Sequence, residues 1–224
     1  MSLIISIETS TNVCSVALHK ENTLIAIKEN HSSQSHSRLL AVFIQDILKE
    51  AEIAPEELDA VAVSKGPGSY TGLRIGVATA KGICYALSIP LIAINTLEAM
   101  AKQVCKFIPQ HSILCPMIDA RRMEVYCLLQ DSNQKAIMET MAKIIDESSF
   151  KSYLDNGKVI FFGNGAAKCK KVIMHPNAVF FEDIYTSAFT IGEIALAKLN
   201  AQIFEDVAYF EPYYLKDFRI AKPK

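Results

Sequence analysis

One order of apolar patterns runs through the chain twice: three strands, a helix, a strand, a helix, a strand and a helix. In the first half, strand-like runs at 3–8, 13–19 and 23–30 are separated by the turn-forming stretches Thr9-Ser10-Thr11-Asn12 and Lys20-Glu21-Asn22. Connections this short join antiparallel neighbours. Leu39, Leu40, Phe43, Ile44, Ile47 and Leu48 then recur at helical spacing. Residues 59–65 read as a buried strand, 72–87 as a helix, 91–94 as a strand and 96–105 as a helix. The second half repeats the order, with strands at 113–120, 124–130 and 136–144 and a helix at 146–154. A strand at 159–162, a helix at 166–174, a strand at 178–181 and a helix at 187–200 complete it.

Three antiparallel strands extended by two parallel strand–helix units make a five-stranded mixed sheet with helices on its faces. Two such sheets in tandem predict a ribonuclease-H-like duplication, the α/β architecture of the actin, Hsp70 and sugar-kinase class. Pro109 interrupts the apolar pattern near the midpoint, so the expected halves are 1–108 and 109–224, the second ending in a basic tail.

Half of the 224 residues are hydrophobic, enough for a large core. Lysine and arginine number 23 against 24 acids, which argues against a dedicated nucleic-acid binder. None of the six cysteines sits in a C-x-x-C pair, and most lie in apolar runs, so buried reduced thiols are expected. No apolar run reaches membrane-spanning length and no signal segment is read, so a cytosolic protein with no membrane contact is expected.

Lys65-Gly66-Pro67-Gly68-Ser69-Tyr70-Thr71-Gly72-Leu73-Arg74-Ile75-Gly76 follows one expected strand and opens one expected helix. Two readings stand for it. Glycines ahead of a helix N-terminus make an anion site, with Gly68, Ser69 and Thr71 as contacts; the same residues also make a shaped turn that binds nothing. Glu8, Thr9 and Ser10 on the opening turn offer an acid and hydroxyls to the same phosphate or nucleotide, or form a polar turn. Asp119-Ala120-Arg121-Arg122 stands at the equivalent place in the second half, as an anion holder or a structural ion pair. Gly72, Gly76 and Ala80 share one helix face. Glycine within a helix costs about 1 kcal/mol against alanine. A neighbouring backbone must therefore come close, either from this chain or from a partner. His31 and His36 are five apart, which does not place two ligands on one helix face, and no metal site is expected.

The segment from Lys65 to Gly76 resembles the signature of the TsaB (YeaZ) family. Ile5-Ser6-Ile7-Glu8-Thr9-Ser10, Met117-Ile118-Asp119-Ala120-Arg121-Arg122, Gly163-Asn164-Gly165-Ala166 and Pro212-Tyr213-Tyr214-Leu215-Lys216 agree in order, so the resemblance covers nearly the whole chain. It implies a non-catalytic subunit that activates a paralogous transferase, TsaD, and works with a TsaE-like ATPase. That complex places threonylcarbamoyl on adenosine 37 of ANN-decoding tRNAs. The implied subunit has no cofactor of its own, with ATP or ADP and magnesium held at the level of the complex. It contacts tRNA only through the complex and forms a homodimer when alone. The catalytic relatives carry an H-x-x-x-H metal motif that is absent here. The family often has aspartate where Glu8 stands. Leu39, Phe43, Gly72, Gly76 and Ala80 are the expected partner-facing residues. A different reading, an ATPase or phosphotransferase in its own right, would use Glu8, the 66–72 loop and Asp119. A third, direct tRNA binding, would use Lys168, Lys170, Lys171 and the basic tail.

Overall fold

The computed structural model describes residues 2–32, 36–109 and 111–216. Two five-stranded mixed sheets form its frame. The first joins β1 (Leu3–Glu8), β2 (Cys14–Lys20), β3 (Thr23–Asn30), β4 (Ala60–Gly66) and β5 (Leu91–Asn95) in the order β3-β2-β1-β4-β5. The second joins β6 (Ile113–Asp119), β7 (Glu124–Asp131), β8 (Ala136–Ile144), β9 (Val159–Phe162) and β10 (Ala178–Phe180) in the order β10-β9-β6-β7-β8. In each sheet the first three strands are antiparallel and the last two join in parallel. The duplication read from the apolar pattern is therefore the observed fold.

The helices are α1 (His36–Glu50), α2 (Tyr70–Leu87), α3 (Thr96–Cys105), α4 (Lys151–Leu154), α5 (Ala166–Cys169) and α6 (Ala188–Asn200). Every residue of β1 is buried, because helices cover the first sheet on both sides. On one side, Leu40, Ile44 and Ile47 of α1 and Val77, Ala80 and Cys84 of α2 meet Ile5, Ile7 and Val63. On the other, Ile191 and Ala195 of α6 meet Ile4, Ala62 and Ile94. β3 lies at the edge and alternates exposed with half-buried residues.

The last helix of each strand–helix series crosses over. Leu97, Met100 and Val104 of α3 pack on Leu114, Ile118 and Ile160 of the second sheet, while α6 returns to the first. α3 and α6 also touch each other, forming a layer between the sheets. At Gly192 this layer is tight: a Cβ there would strike the His19 imidazole. Burial lowers the His19 pKa beneath α6, against the opposing pull of Glu193.

Two expected helices are shorter than their apolar spacing suggested. Residues 146–149 are held in a turn, because the Asp146 carboxylate accepts hydrogen bonds from the Ser148 N–H and from both serine hydroxyls. Only Lys151–Leu154 remains helical. The Cys169 carbonyl accepts from both Val172 and Ile173 N–H, closing α5 where a helix to 174 was expected. The six thiols are free and five are buried. Burial pushes Cys14, Cys84 and Cys169 up to about 11.

After α6 the chain straps back over the first sheet. The Tyr213 N–H donates to the Lys65 carbonyl at 2.7 Å, and Lys81 Nζ donates to the carbonyls of Ala208 and Phe210. Tyr214 then packs its tilted ring against Tyr70 at the start of α2. No helix among the described residues is long and apolar enough to cross a membrane.

Candidate functional site

The β1–β2 turn and the β4–α2 loop lock together. Ser69 N–H donates to the Ser10 carbonyl at 2.6 Å, and Thr9 Oγ1 donates to the Gly72 carbonyl at 2.9 Å. The Ser69 hydroxyl turns inward to cap α2 by accepting from Gly72 N–H. A Cβ at Gly68 would collide with the Ser10 carbonyl, one at Gly72 with the Thr9 carbonyl, and one at Gly76 with the Thr9 hydroxyl. The glycines are there so that α2 can lie directly on this turn.

Of the two readings of this loop, the geometry shows the packed turn directly. At the helix N-terminus the Ser69 amide is engaged by the Ser10 carbonyl and the Thr9 and Ser69 hydroxyls by Gly72, while the buried Ser10 hydroxyl has no partner among the described residues. Thr71 is exposed and outside that contact. The same geometry corrects the partner-facing role expected of Gly72, Gly76 and Ala80: all three are buried against this chain's own turn and sheet. Leu39 and Phe43 are half-buried and pack at the margin of the core.

Glu8 stands beneath the turn and is almost wholly buried. Its Oε1 accepts from Ser10 N–H at 2.6 Å and from the Ser64 hydroxyl at 3.1 Å, while Oε2 has no partner among the described residues. Burial outweighs these hydrogen bonds and raises the pKa from its ordinary 4.5. Between 4.5 and the raised value, the folded chain holds a proton that the unfolded chain releases. Stability therefore falls as pH rises through that window. Glu8→Gln removes this slope, which reaches at most about 1.4 kcal/mol per pH unit. Urea unfolding from pH 5 to 8 checks it: the wild type should lose stability toward alkaline pH relative to the variant, and parallel curves would refute the assignment.

Across from the turn, the second half contributes Asn164 and the segment before α6. Thr11 and Thr186 share a hydrogen bond of 2.8 Å between their hydroxyls. Beside it lies a cavity of about 120 Å³ lined by Thr11, Asn12, His31, Met100, Asn164 and Tyr185, among others. Pockets that enclose small ligands run to about 300–1,000 Å³, so this cleft has no room for a whole nucleotide. Among the described residues no group of three or more histidines, cysteines or acids is placed to hold a metal ion.

The basic residues divide into two kinds. Lys168 Nζ is consumed by Asp119 Oδ1 and by the carbonyls of Arg122 and Glu124, and Lys170 pairs with Glu182. Those two lysines are thus occupied within the chain. The tail beyond 216 lies outside the described residues.

Sequence reasoning missed a second small-residue stripe on α2. Ala78, Gly82 and Ala86 are also four apart, but they are exposed. Ala78 lies two residues from Ala80, or about 200° around the helix, so this stripe points away from the inward one. A Cβ at Gly82 would meet nothing within 4 Å. Ile75 and Ile83 on the same helix are half-buried, and Val42 of the neighbouring α1 is 46% exposed. Tyr85 is 82% exposed on the same helix. The signal was present as A-x-x-x-G-x-x-x-A in the sequence, but nothing in it told outward from inward.

A duplicated ribonuclease-H-like frame of two five-stranded mixed sheets with helices on their faces gives the chain the fold of the actin-like class. A family model described as "TsaD: tRNA N6-adenosine threonylcarbamoyltransferase" matches residues 26–222. The tRNA threonylcarbamoyladenosine biosynthesis protein TsaB of Bacillus subtilis (strain 168) is 37% identical over 123 residues. That alignment covers 55% of this chain and 52% of that protein, so the chain spans about half the length of that relative. The solved structure of YeaZ from Pseudomonas aeruginosa superposes with a TM-score of 0.82 at 24% identity, covering 96% of this chain and all of that one. A more distant fold relative is an activator of 2-hydroxyisocaproyl-CoA dehydratase from Clostridium difficile, with TM-score 0.52, 11% identity and coverage of 91% and 98%. The chain belongs to the TsaB/YeaZ family.

Proposed function

We propose that this chain is a non-catalytic subunit in the formation of threonylcarbamoyladenosine on adenosine 37 of tRNA, and that it pairs with a TsaD-type transferase. The observation that carries this reading is the closed loop at the α2 N-terminus. Where a nucleotide-using relative needs free amides, Ser69 donates to Ser10, and three glycines press the helix onto the turn. The scaffold keeps its shape and lacks an open phosphate site there. The H-x-x-x-H motif of the catalytic relatives is also absent from the sequence.

The α1–α2 face supplies the docking surface in this reading. Ala78, Gly82 and Ala86 form an outward strip on α2, and the neighbouring α1 adds the half-buried Leu39 and Phe43 and the exposed Val42. A glycine with open space at its Cβ position weakens the helix by about 1 kcal/mol for no gain within the chain. Close approach of a partner helix offsets that cost. A transferase built on the same duplicated frame would offer an equivalent helix pair, making a pseudo-twofold contact. Without it, two copies of this chain would pair through the same face. A TsaE-like ATPase and any nucleotide with its magnesium are then brought by the assembly.

Reconstitution tests the reading. The purified chain is mixed with a TsaD-type transferase, a TsaE-like ATPase and tRNA, and modified adenosine is quantified with and without it. Modification is expected only with the chain present. Turnover of Mg-ATP by the isolated chain, or full modification without it, would remove the proposal.

A further inference from the structure

We infer that the β6–β7 hairpin is a phosphate-binding site in which Arg121 and Arg122 grip the backbone of a nucleic acid. Both arginines sit in left-handed backbone, with φ of 70° and 50°. That conformation disfavours a side chain by roughly 1–2 kcal/mol per residue and is ordinarily left to glycine or asparagine. Two consecutive long cations held there require a reason outside local preference.

The hairpin is built to hold them. Lys168 Nζ, reaching in from α5, donates to Asp119 Oδ1 at 2.5 Å and to the carbonyls of Arg122 and Glu124 at 2.6 Å each. Asp119 Oδ1 also accepts from Arg121 N–H at 2.8 Å, and Asp119 N–H donates to Asn164 Oδ1. One lysine thus ties both strands of the hairpin to α5, and the loop before α5 braces its base.

The charges are distributed unevenly. Lys168 neutralises Asp119, and Lys216 pairs with Glu124. Four cations, Arg121, Arg122, Lys168 and Lys216, stand against two carboxylates, which leaves a local excess of two in a chain whose net charge is −1. Neither guanidinium makes a hydrogen bond or ion pair with another described residue, and both arginines are exposed. Paired forks of this kind match phosphate oxygens. Neither arginine lines either of the two main cavities among the described residues, so the hairpin offers no enclosure for the base and sugar of the same ligand. An extended polynucleotide, whose phosphates lie on its outside, fits this arrangement better than a free nucleotide does.

This rests on the reading above only for the choice of tRNA as probe. The test uses the full chain and labelled unmodified tRNA in a filter-binding assay from 50 to 200 mM salt, with a fluorescent ATP analogue in parallel. Arg121→Gln/Arg122→Gln should weaken tRNA binding about tenfold at 50 mM salt and reduce the salt slope by roughly 1.5, the share of two phosphates. Lys168→Met, which keeps both arginines, should weaken it severalfold by releasing the hairpin. Lys49→Gln, on α1, should leave it unchanged, and thermal melts verify that each variant is folded. Equal binding by the folded double variant, equal loss in Lys49→Gln, or no tRNA binding at 50 mM salt would each overturn the inference. Loss confined to the ATP analogue would also overturn it, reassigning the site to a free nucleotide. If the double variant still bound the transferase, failure of phosphate binding would be distinct from failure of the subunit role.

Discussion

Gly72→Ala is expected to destabilise the fold by about 3 kcal/mol, although alanine is the better helix former. The added methyl would meet the Thr9 carbonyl oxygen, which is backbone and fixed by the Thr9 hydroxyl's own bond to Gly72. The turn cannot retreat without breaking the contact between Ser69 and Ser10. Ten residues along the same helix, Gly82→Ala should raise stability by about 0.5–1 kcal/mol, because its methyl enters open space. Urea unfolding of the two variants makes the comparison. One chemical change in one helix should act with opposite signs, and a common sign would mean that the inward packing is misassigned.

Gly82→Arg should act elsewhere. The side chain leaves the outward strip and reaches solvent, so folding is expected to change by less than about 0.5 kcal/mol beyond the propensity gain. Pairing with a TsaD-type transferase should weaken by about 100-fold, near 3 kcal/mol, because an interface closed around a glycine has no room for a guanidinium stem. Modified tRNA should fall in proportion at limiting subunit concentration. Titration calorimetry and the reconstituted reaction check both. Ile144→Arg is the control: Ile144 is 72% exposed on β8 of the other sheet and should leave pairing intact. If Gly82→Arg pairs as tightly as the wild type, the transferase docks on another face.

The order of strands and helices was legible because apolar period is a local property. Ten strands and three of the six helices follow it to within a residue or two, and α1 contains all of its expected apolar positions. The exceptions have specific causes. The apolar residues around Leu154 suggested a longer helix, but Asp146 offers its carboxylate to the following serines, and that local bond won. The strap from 201 to 216 carries no periodicity at all. Its place is set by Phe210 and Val207 entering the first core and by Lys81 reaching its carbonyls.

The candidate sites were half legible. The loop from Lys65 to Gly76 stood out as a strand-to-helix turn rich in glycine, and both the anion reading and the packing reading followed from that. Only the position of Thr9 and Ser10, some 60 residues earlier in the chain, separates them. Arg121 and Arg122 were visible as a charged pair, yet their left-handed backbone and the lysine that holds it appear only in three dimensions.

By itself the sequence determined the duplicated frame, the family and the glycine spacing of α2. These depend on residue type and on intervals of two to four residues, which the chain carries in any conformation. Tertiary structure decided which side of α2 faces in, that α3 and α6 form the layer between the two sheets, and that the helix N-terminus is occupied by the chain's own turn. Each of those outcomes is a contact between residues far apart in sequence, selected by the fit of backbone against backbone, and no local period encodes it.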